Sequence, residues 1–292
     1  MTDAVAVGAP VSERAAGYWT GVWRRLRRDP VSIVCALILA ALVLSAIFAP
    51  WLGFADPYEG SMTDRLKPVG SPGYILGSDE LGRDMLSRLI YGGRLTLFLG
   101  IAPVVAAFVI GTFLGLVAGY VGGLTNTLIM RTVDVFFAFP SILLAIAISG
   151  ALGAGIVNSL VSLTIVFIPP IARVAESVTA SVRSLDYVDA ARASGAGDFT
   201  IVRVHVLGNV MGPIFVYATS LTSVCMIIAA GLSFLGLGVR PPEPEWGLML
   251  NTLRTAIYIN PMVAALPGIM IFITSLCLNL LSDGLRSAMN VR

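Results

Sequence analysis

Reactive side chains are scarce in this chain, and the scarcity limits the chemistry open to it. Its only lysine, Lys67, is followed by Pro68, whereas a phosphate-cradling Walker A loop ends in Gly-Lys-Ser/Thr. Nucleotide binding of that kind is excluded. The single histidine, His205, rules out a histidine-rich metal centre and argues against a membrane-embedded hydrolase, which needs His clustered with Asp or Glu. Cys35, Cys225 and Cys277 are widely spaced in apolar stretches, so they read as small buried residues rather than a disulfide framework or a zinc site. On this reading no residue is catalytic, binds a cofactor or holds a metal. What remains are opposite charges at helical spacing: Asp79 with Arg83, Asp84 with Arg88, and Arg131 with Asp134. Such pairs fix geometry and catalyse nothing.

A second set lies in the segment 181–211. Asp186 is placed to cap a short helix over 186–194, and Ala190, Ala191 and Ala193 favour its continuation. Gly195 and Gly197 stop it, and Asp198 is placed to cap a second short helix. Two helices with a glycine break make a projecting knob. Small side chains at 190, 191, 193 and 194 let another surface approach its backbone, and Asp189 with Arg192 can fix it by polar contacts.

The elements that hold these residues follow from composition. The apolar set supplies 57% of the 292 residues and charged residues only 12%, against about 25% charged in a soluble domain. So few charges cannot cover a water-facing surface, and there is too much apolar surface for disorder. The chain reads as an integral membrane protein. Five uncharged lanes run 30–55, 95–130, 135–172, 204–239 and 255–282. A crossing takes about 20 apolar residues, so four lanes hold one each. The lane 135–172 holds two, divided near Gly153-Ala154-Gly155. Six helices are predicted, at 31–51, 95–118, 133–151, 157–180, 212–235 and 261–283; the lanes lack the alternation of a membrane barrel.

Arg24, Arg25, Arg27 and Arg28 precede the first helix, while 51–64 contains no Lys or Arg, which places the N-terminus in the cytoplasm. Six crossings return the C-terminus to that side. The first lane is too long for the h-region of a signal peptide, about 7–15 residues, and is read as a true span. Leu81, Met85, Leu86, Leu89 and Ile90 share one helical face across 76–94, with the two ion pairs opposite, so an interfacial helix lying flat is predicted there. Pro169-Pro170 predicts a kink beside a cavity in the fourth span. Gly231, Gly236 and Gly238 with Ser233 predict tight packing at the outer end of the fifth, and Trp246 is expected at the outer interface.

Asp189-Ala190-Ala191, three residues, Gly195, then Val206-Leu207-Gly208-Asn209 resembles the EAA loop of ABC importer permeases. Asp189 stands where the family has Glu, and Gly208 where it has Pro, which removes a rigid turn. Leu76-Gly-Ser-Asp79-Glu-Leu-Gly-Arg83-Asp84 resembles a stretch of the C-type subunit of dipeptide, oligopeptide and nickel permeases. So do Arg131-Thr-Val-Asp134 through Pro140, Gly231 through Trp246-Gly247, and Asn279-Leu-Leu-Ser-Asp283-Gly-Leu-Arg286. The likeness covers essentially the whole chain.

The resemblance implies an all-α membrane protein of six transmembrane helices with the type I ABC importer permease fold (MetI-like), in the bacterial cell membrane. It implies a cytoplasmic tail 1–29, a first helix and external loop over 30–93, a permease core over 94–283 with its coupling loop at 186–209, and a cytoplasmic tail 284–292. Asp189, Ala190, Ala191, Arg192, Ser194, Gly195 and Asp198 would meet the ATPase. Asp79, Arg83 and Asp84 belong either to a lipid-facing lead-in to the second span or to a docking face for an extracytoplasmic substrate-binding protein. Implied partners are a second homologous permease, two ABC ATPase subunits or domains that carry the ATP and magnesium, that binding protein, and the lipid bilayer; nucleic acid is not among them. Peptide is the implied cargo, with nickel or another small solute as the alternative. An ion-gradient carrier would need ionisable groups in the spans, and the five lanes hold none. No residue of the substrate pathway is assigned.

Overall fold

The computed structural model describes residues 18–289. The outer parts of both expected tails, with Arg14 and Arg292, lie outside the described residues. The inner parts are helical: α1 is Tyr18–Leu26, and the last helix runs on to Met289. Among the described residues the regular structure is helical throughout, apart from isolated bridges in the outer loop.

Asp29 starts the first long helix, α2 (Pro30–Phe48), by accepting the amides of Val31 and Ser32 with Pro30 in the first turn. Asp84 does the same for α3 (Met85–Val121), accepting the Ser87 amide at 2.8 Å. At 37 residues α3 is about 55 Å long. That exceeds the hydrocarbon core of about 30 Å, so its first turns stand outside it. Then come α4 (Gly123–Phe137), α5 (Ser141–Leu152) and α6 (Ile156–Arg183), separated by Pro140 and by the glycines at 153 and 155. Both glycines have positive φ, +86° and +155°, as the predicted division required. Beyond α6 the chain forms α7 (Asp186–Ala193) and the one-turn α8 (Asp198–Thr200), then a π-helical stretch Ile201–Val206 leading into α9 (Leu207–Phe234). The outer α10 (Trp246–Thr252) and the long α11 (Pro261–Met289) complete it.

Five helices are long and apolar enough to cross a membrane: α2, α3, α6, the helical run ending in α9, and α11. The predicted third span, 133–151, is not one helix. Pro140 lacks an amide proton and biases Phe139 away from helical ψ, so α4 and α5 meet at 88°. The pair nevertheless completes a sixth crossing. α3 ends at the inner face, where Gly122 abuts the guanidinium of Arg183, and α5 ends at the outer face, where the Ser149 hydroxyl donates to the Leu237 carbonyl at 3.0 Å. Val22 of α1 packs on Ala288 and Met289 of α11, so both ends of the described chain share one face and the crossings are even in number.

The densest packing is between α3 and α6. Gly111, Gly115 and Gly119 repeat every fourth residue on α3, and a Cβ at Gly115 would fall 2.4 Å from the Ala172 carbonyl oxygen. Small residues at that spacing let two backbones touch where lipid gives no hydrophobic drive to association. This stripe escaped the sequence reading. The predicted one holds only in part: Gly238 packs on Ser233, while Gly231 and Gly236 face open space. α6 passes through Pro169 and Pro170 as one helix, and beside them lies the expected cavity, about 210 Å³.

The outer segment corrects the sequence reading most. No separate helix lies flat over 76–94: residues 76–84 are turns, and Met85 begins α3. Trp246 is not an interfacial marker but a core residue, 1% exposed, its Nε1 donating to the Leu89 carbonyl at 2.8 Å. The aromatic ring closes the space between α3 and α10, so the apolar interior claims it before the headgroup region can.

Candidate functional site

The inner knob, 184–206, begins where α6 ends. Leu185 occupies the N-cap position of α7 and Asp186 is its first residue, so the expected side-chain cap is absent; Asp186 and Asp189 instead complement the helix dipole from the first turn. The stop falls where predicted. Gly195 sits at φ +83°, its amide donating to the Arg192 carbonyl, and the Ala196 amide returns to Ala191 at 3.1 Å. Gly197, not Asp198, is the N-cap of α8. The Asp198 carboxylate has a different partner: it accepts the hydroxyl of Tyr120, near the end of α3, at 2.6 Å.

The rear of the knob belongs to the main core. Val188, Ile201, Val206 and Val210 have no exposed surface, and Ala191 and Ala196 pack partly buried against them. Asn209 donates to the Tyr187 hydroxyl at 3.0 Å and to the His205 carbonyl at 2.7 Å, tying α7 to the start of α9. The chain passes from α8 through the π stretch into α9 without a turn at Gly208, whose Cβ position is open. The missing proline therefore leaves a continuous helical lead.

The front of the knob is exposed. Asp189, Ala190, Arg192, Ser194 and Gly195 face solvent, with Arg192 Nη1 donating to Asp189 at 3.0 Å. Ala191 is turned partly inward, against the core. The same segment leaves large apolar side chains exposed: Phe199 at 79%, Val204 at 61%, with Leu185 and Tyr187. The sequence reading missed them because it looked for small residues, not for large apolar ones that the local helices leave without a core. Large apolar side chains left exposed on a water-facing projection mark a surface made to be covered.

The external candidates are placed differently. Asp79 and Arg83 form the predicted pair, Nε to Oδ2 2.6 Å, yet they are 1% and 6% exposed. Arg88 joins Asp79 at 3.2 Å instead of pairing with Asp84, whose carboxylate is spent on capping α3. Arg88 also donates to the Pro57 carbonyl at 2.8 Å. These side chains tie the loop 52–84 to the head of α3 and present little surface to an incoming protein.

Toward the membrane interior, Asp134 pairs across helices with Arg173 of α6, not with its neighbour Arg131. Glu176 accepts from Asn126 Nδ2 at 2.7 Å. α6 thus carries Arg173 and Glu176 inside its span, because the helices run beyond the uncharged lanes at their inner ends. One turn outward from the Asp134 pair lies the cavity at the α4–α5 break, walled by Phe136, Phe139, Phe167, Pro169, Pro170 and Tyr217. Among the described residues no cluster of His, Cys, Asp or Glu could hold a metal ion, and all three cysteines are free and buried.

Residues 111–292 match the family described as binding-protein-dependent transport system inner membrane component, and residues 17–68 match the N-terminal TM domain of oligopeptide transport permease C. A glutathione transport system permease protein, GsiD, of Pectobacterium atrosepticum is 43% identical over 272 residues, covering 93% of this chain and 90% of that protein. A di/tripeptide transport system permease protein, DppC, of Pseudomonas aeruginosa is 40% identical over 290 residues, covering 97% and 96%. Among solved structures, an inward-facing methionine ABC transporter superposes with a TM-score of 0.57 at 21% identity, over 71% of this chain and 98% of the other. That likeness carries the fold.

Proposed function

The chain belongs to the family of binding-protein-dependent transport system inner membrane components, and on that footing we propose that it forms half of the translocation pathway of a peptide importer and is driven through its inner knob. It is a multi-pass inner-membrane permease subunit of an ABC importer and does not itself hydrolyse nucleotide; membership implies ATPase and binding-protein partners. Peptide cargo is supported by relatives named for di/tripeptide and glutathione transport. The pathway would lie between this subunit and a second, homologous permease, with the binding protein delivering the cargo from outside.

One observation carries the coupling role: the knob is exposed and apolar in front while its rear is locked into the core. Force applied to Ala190, Gly195 and Phe199 would pass through Val188, Ile201 and the Tyr120–Asp198 bond into α3, α6 and α9 rather than being lost in a flexing loop. Such a partner shifts the gate only if it grips the knob more tightly in one state. The broken α4–α5 span gives the moving part its give. Its freed backbone groups need a cavity or neighbours to satisfy them, and the 210 Å³ space is there.

Ala190→Trp and Phe199→Ser, made in the assembled importer, test this. Both positions are exposed, so insertion and folding should be normal, while peptide-stimulated ATP hydrolysis should fall at least about 30-fold, as expected on losing an interface hot spot. Unchanged stimulation and uptake in both variants would remove the knob as the coupling site.

A further inference from the structure

The four arginines before the first span do more than set orientation. α1 is fixed to the inner end of α11: Val22 is buried against Val216, Ala288 and Met289, and Arg25 Nη1 donates to the Ala288 carbonyl at 3.1 Å. The link continues at Gly284, where a Cβ would strike Ser32 Oγ and crowd the Asp29 carboxylate. α1 is therefore a built element and not a loose tail. Arg24 projects from it and Arg27 and Arg28 lie in the turn that follows it; all three are exposed and join no ion pair among the described residues. The acid next in sequence, Asp29, is committed to capping α2 and to the Ser32 hydroxyl.

Depth decides what these arginines meet. α2 enters the bilayer at Pro30, so all three stand within six residues of the point of entry, at headgroup level. Trp23 lies beside them, 54% exposed, with the Arg27 guanidinium 4.8 Å above its ring. An aromatic side chain with unpaired guanidinium groups on a short helix and the turn after it, at the inner interface, is the pattern that binds a negatively charged membrane surface. We infer that Arg24 at the end of α1, with Arg27 and Arg28 in the turn that follows it, forms a docking site for acidic phospholipid headgroups of the inner leaflet, held against α11. The guanidinium forks suit phosphate oxygens, and none of the three is held in an ion pair among the described residues.

Native mass spectrometry of the full chain in neutral detergent, offered equal phosphatidylglycerol and phosphatidylcholine, tests it. The wild type should retain phosphatidylglycerol preferentially, and added inorganic phosphate should not displace it. Arg24→Gln, Arg27→Gln and Arg28→Gln together should weaken that retention by about fivefold per arginine, roughly 100-fold in all. A control with the same net charge, Arg65→Gln, Arg240→Gln and Arg254→Gln on the outer face, should retain the lipid as the wild type does. Equal retention by the triple variant and the wild type overturns the proposal, as does equal loss in the control. So does displacement by free phosphate. If the triple variant keeps its lipid but no longer co-purifies with the ATPase, the face belongs to that protein and the lipid assignment falls.

Discussion

Glu245 has no exposed surface, and no cation pairs with it among the described residues. Its carboxylate accepts the amides of Gly247 and Leu248 at 2.9 and 2.8 Å and the Thr96 hydroxyl at 3.2 Å, capping α10 and joining it to α3. Burial pushes this carboxyl up from the ordinary glutamate value of 4.5, and the hydrogen bonds only partly offset that. A carboxyl raised in the folded state favours folding fully below its unfolded value. That contribution is lost as pH climbs through the raised value. Melting temperature in detergent should therefore decline with rising pH over that window, and Glu245→Gln should flatten the decline; equal slopes would disprove it. Glu245→Ala should cost about 1–3 kcal/mol by leaving two buried amides unpaired, measurable by denaturant titration. At this scale the sequence was readable only for contacts between near neighbours. Spacing identified Asp79 with Arg83 and Asp189 with Arg192. It failed for Asp84, Arg88, Arg131 and Asp134, because i,i+3 and i,i+4 reasoning presupposes a helix that 76–84 does not form and ignores a neighbouring helix such as α6.

The helices were legible as apolar lanes between charges, and the glycine division at 153–155 was placed correctly. Their extents were not. A membrane helix continues past the hydrocarbon, where charge is tolerated, so α3 starts at Met85 and not at the predicted 95, whereas α6 lies close to the predicted 157–180. Pro140 was visible in the sequence, yet continuous apolarity across 135–152 outweighed it in the reading; backbone sterics decided otherwise. The α3–α6 seam was legible in retrospect as Gly111, Gly115 and Gly119. Gly115→Ala should cost about 1–3 kcal/mol through overpacking, and Gly115→Leu should abolish the folded population on size-exclusion chromatography. Gly231→Ala, with nothing within 4 Å of its Cβ, should lie within about 0.5 kcal/mol of the wild type. If Gly115→Ala behaves like Gly231→Ala, the close approach of α3 and α6 is wrong.

For the whole molecule, the count of crossings came from composition alone, while the proof that it is even comes from the meeting of α1 with α11. A thiol placed at Ser61 and one at Ser181 report on opposite faces, and the native cysteines, all buried, stay silent. Membrane-impermeant maleimide applied to intact cells should modify Ser61→Cys and leave Ser181→Cys untouched until the membrane is opened. Modification of both from outside would require an even number of passages between them and overturn this count. The knob was legible as an alanine-rich interruption in an inner loop, but its exposed apolar side chains were not, since Phe199 and Val204 become surface residues only once the core is chosen.

The seating of α1 and α2 on the cytoplasmic end of α11 also bears on biogenesis. α1 and α2 are synthesised before α11, and their cytoplasmic ends find this seat only when α11 arrives. Until then the Asp29–Ser32 corner has no Gly284 to close against, and Val22 has no Met289 to cover it. Nascent chains halted before α11 would thus carry an unfinished seam at α1 and α2, open to quality-control proteases. Emergence of α11 is itself the latch.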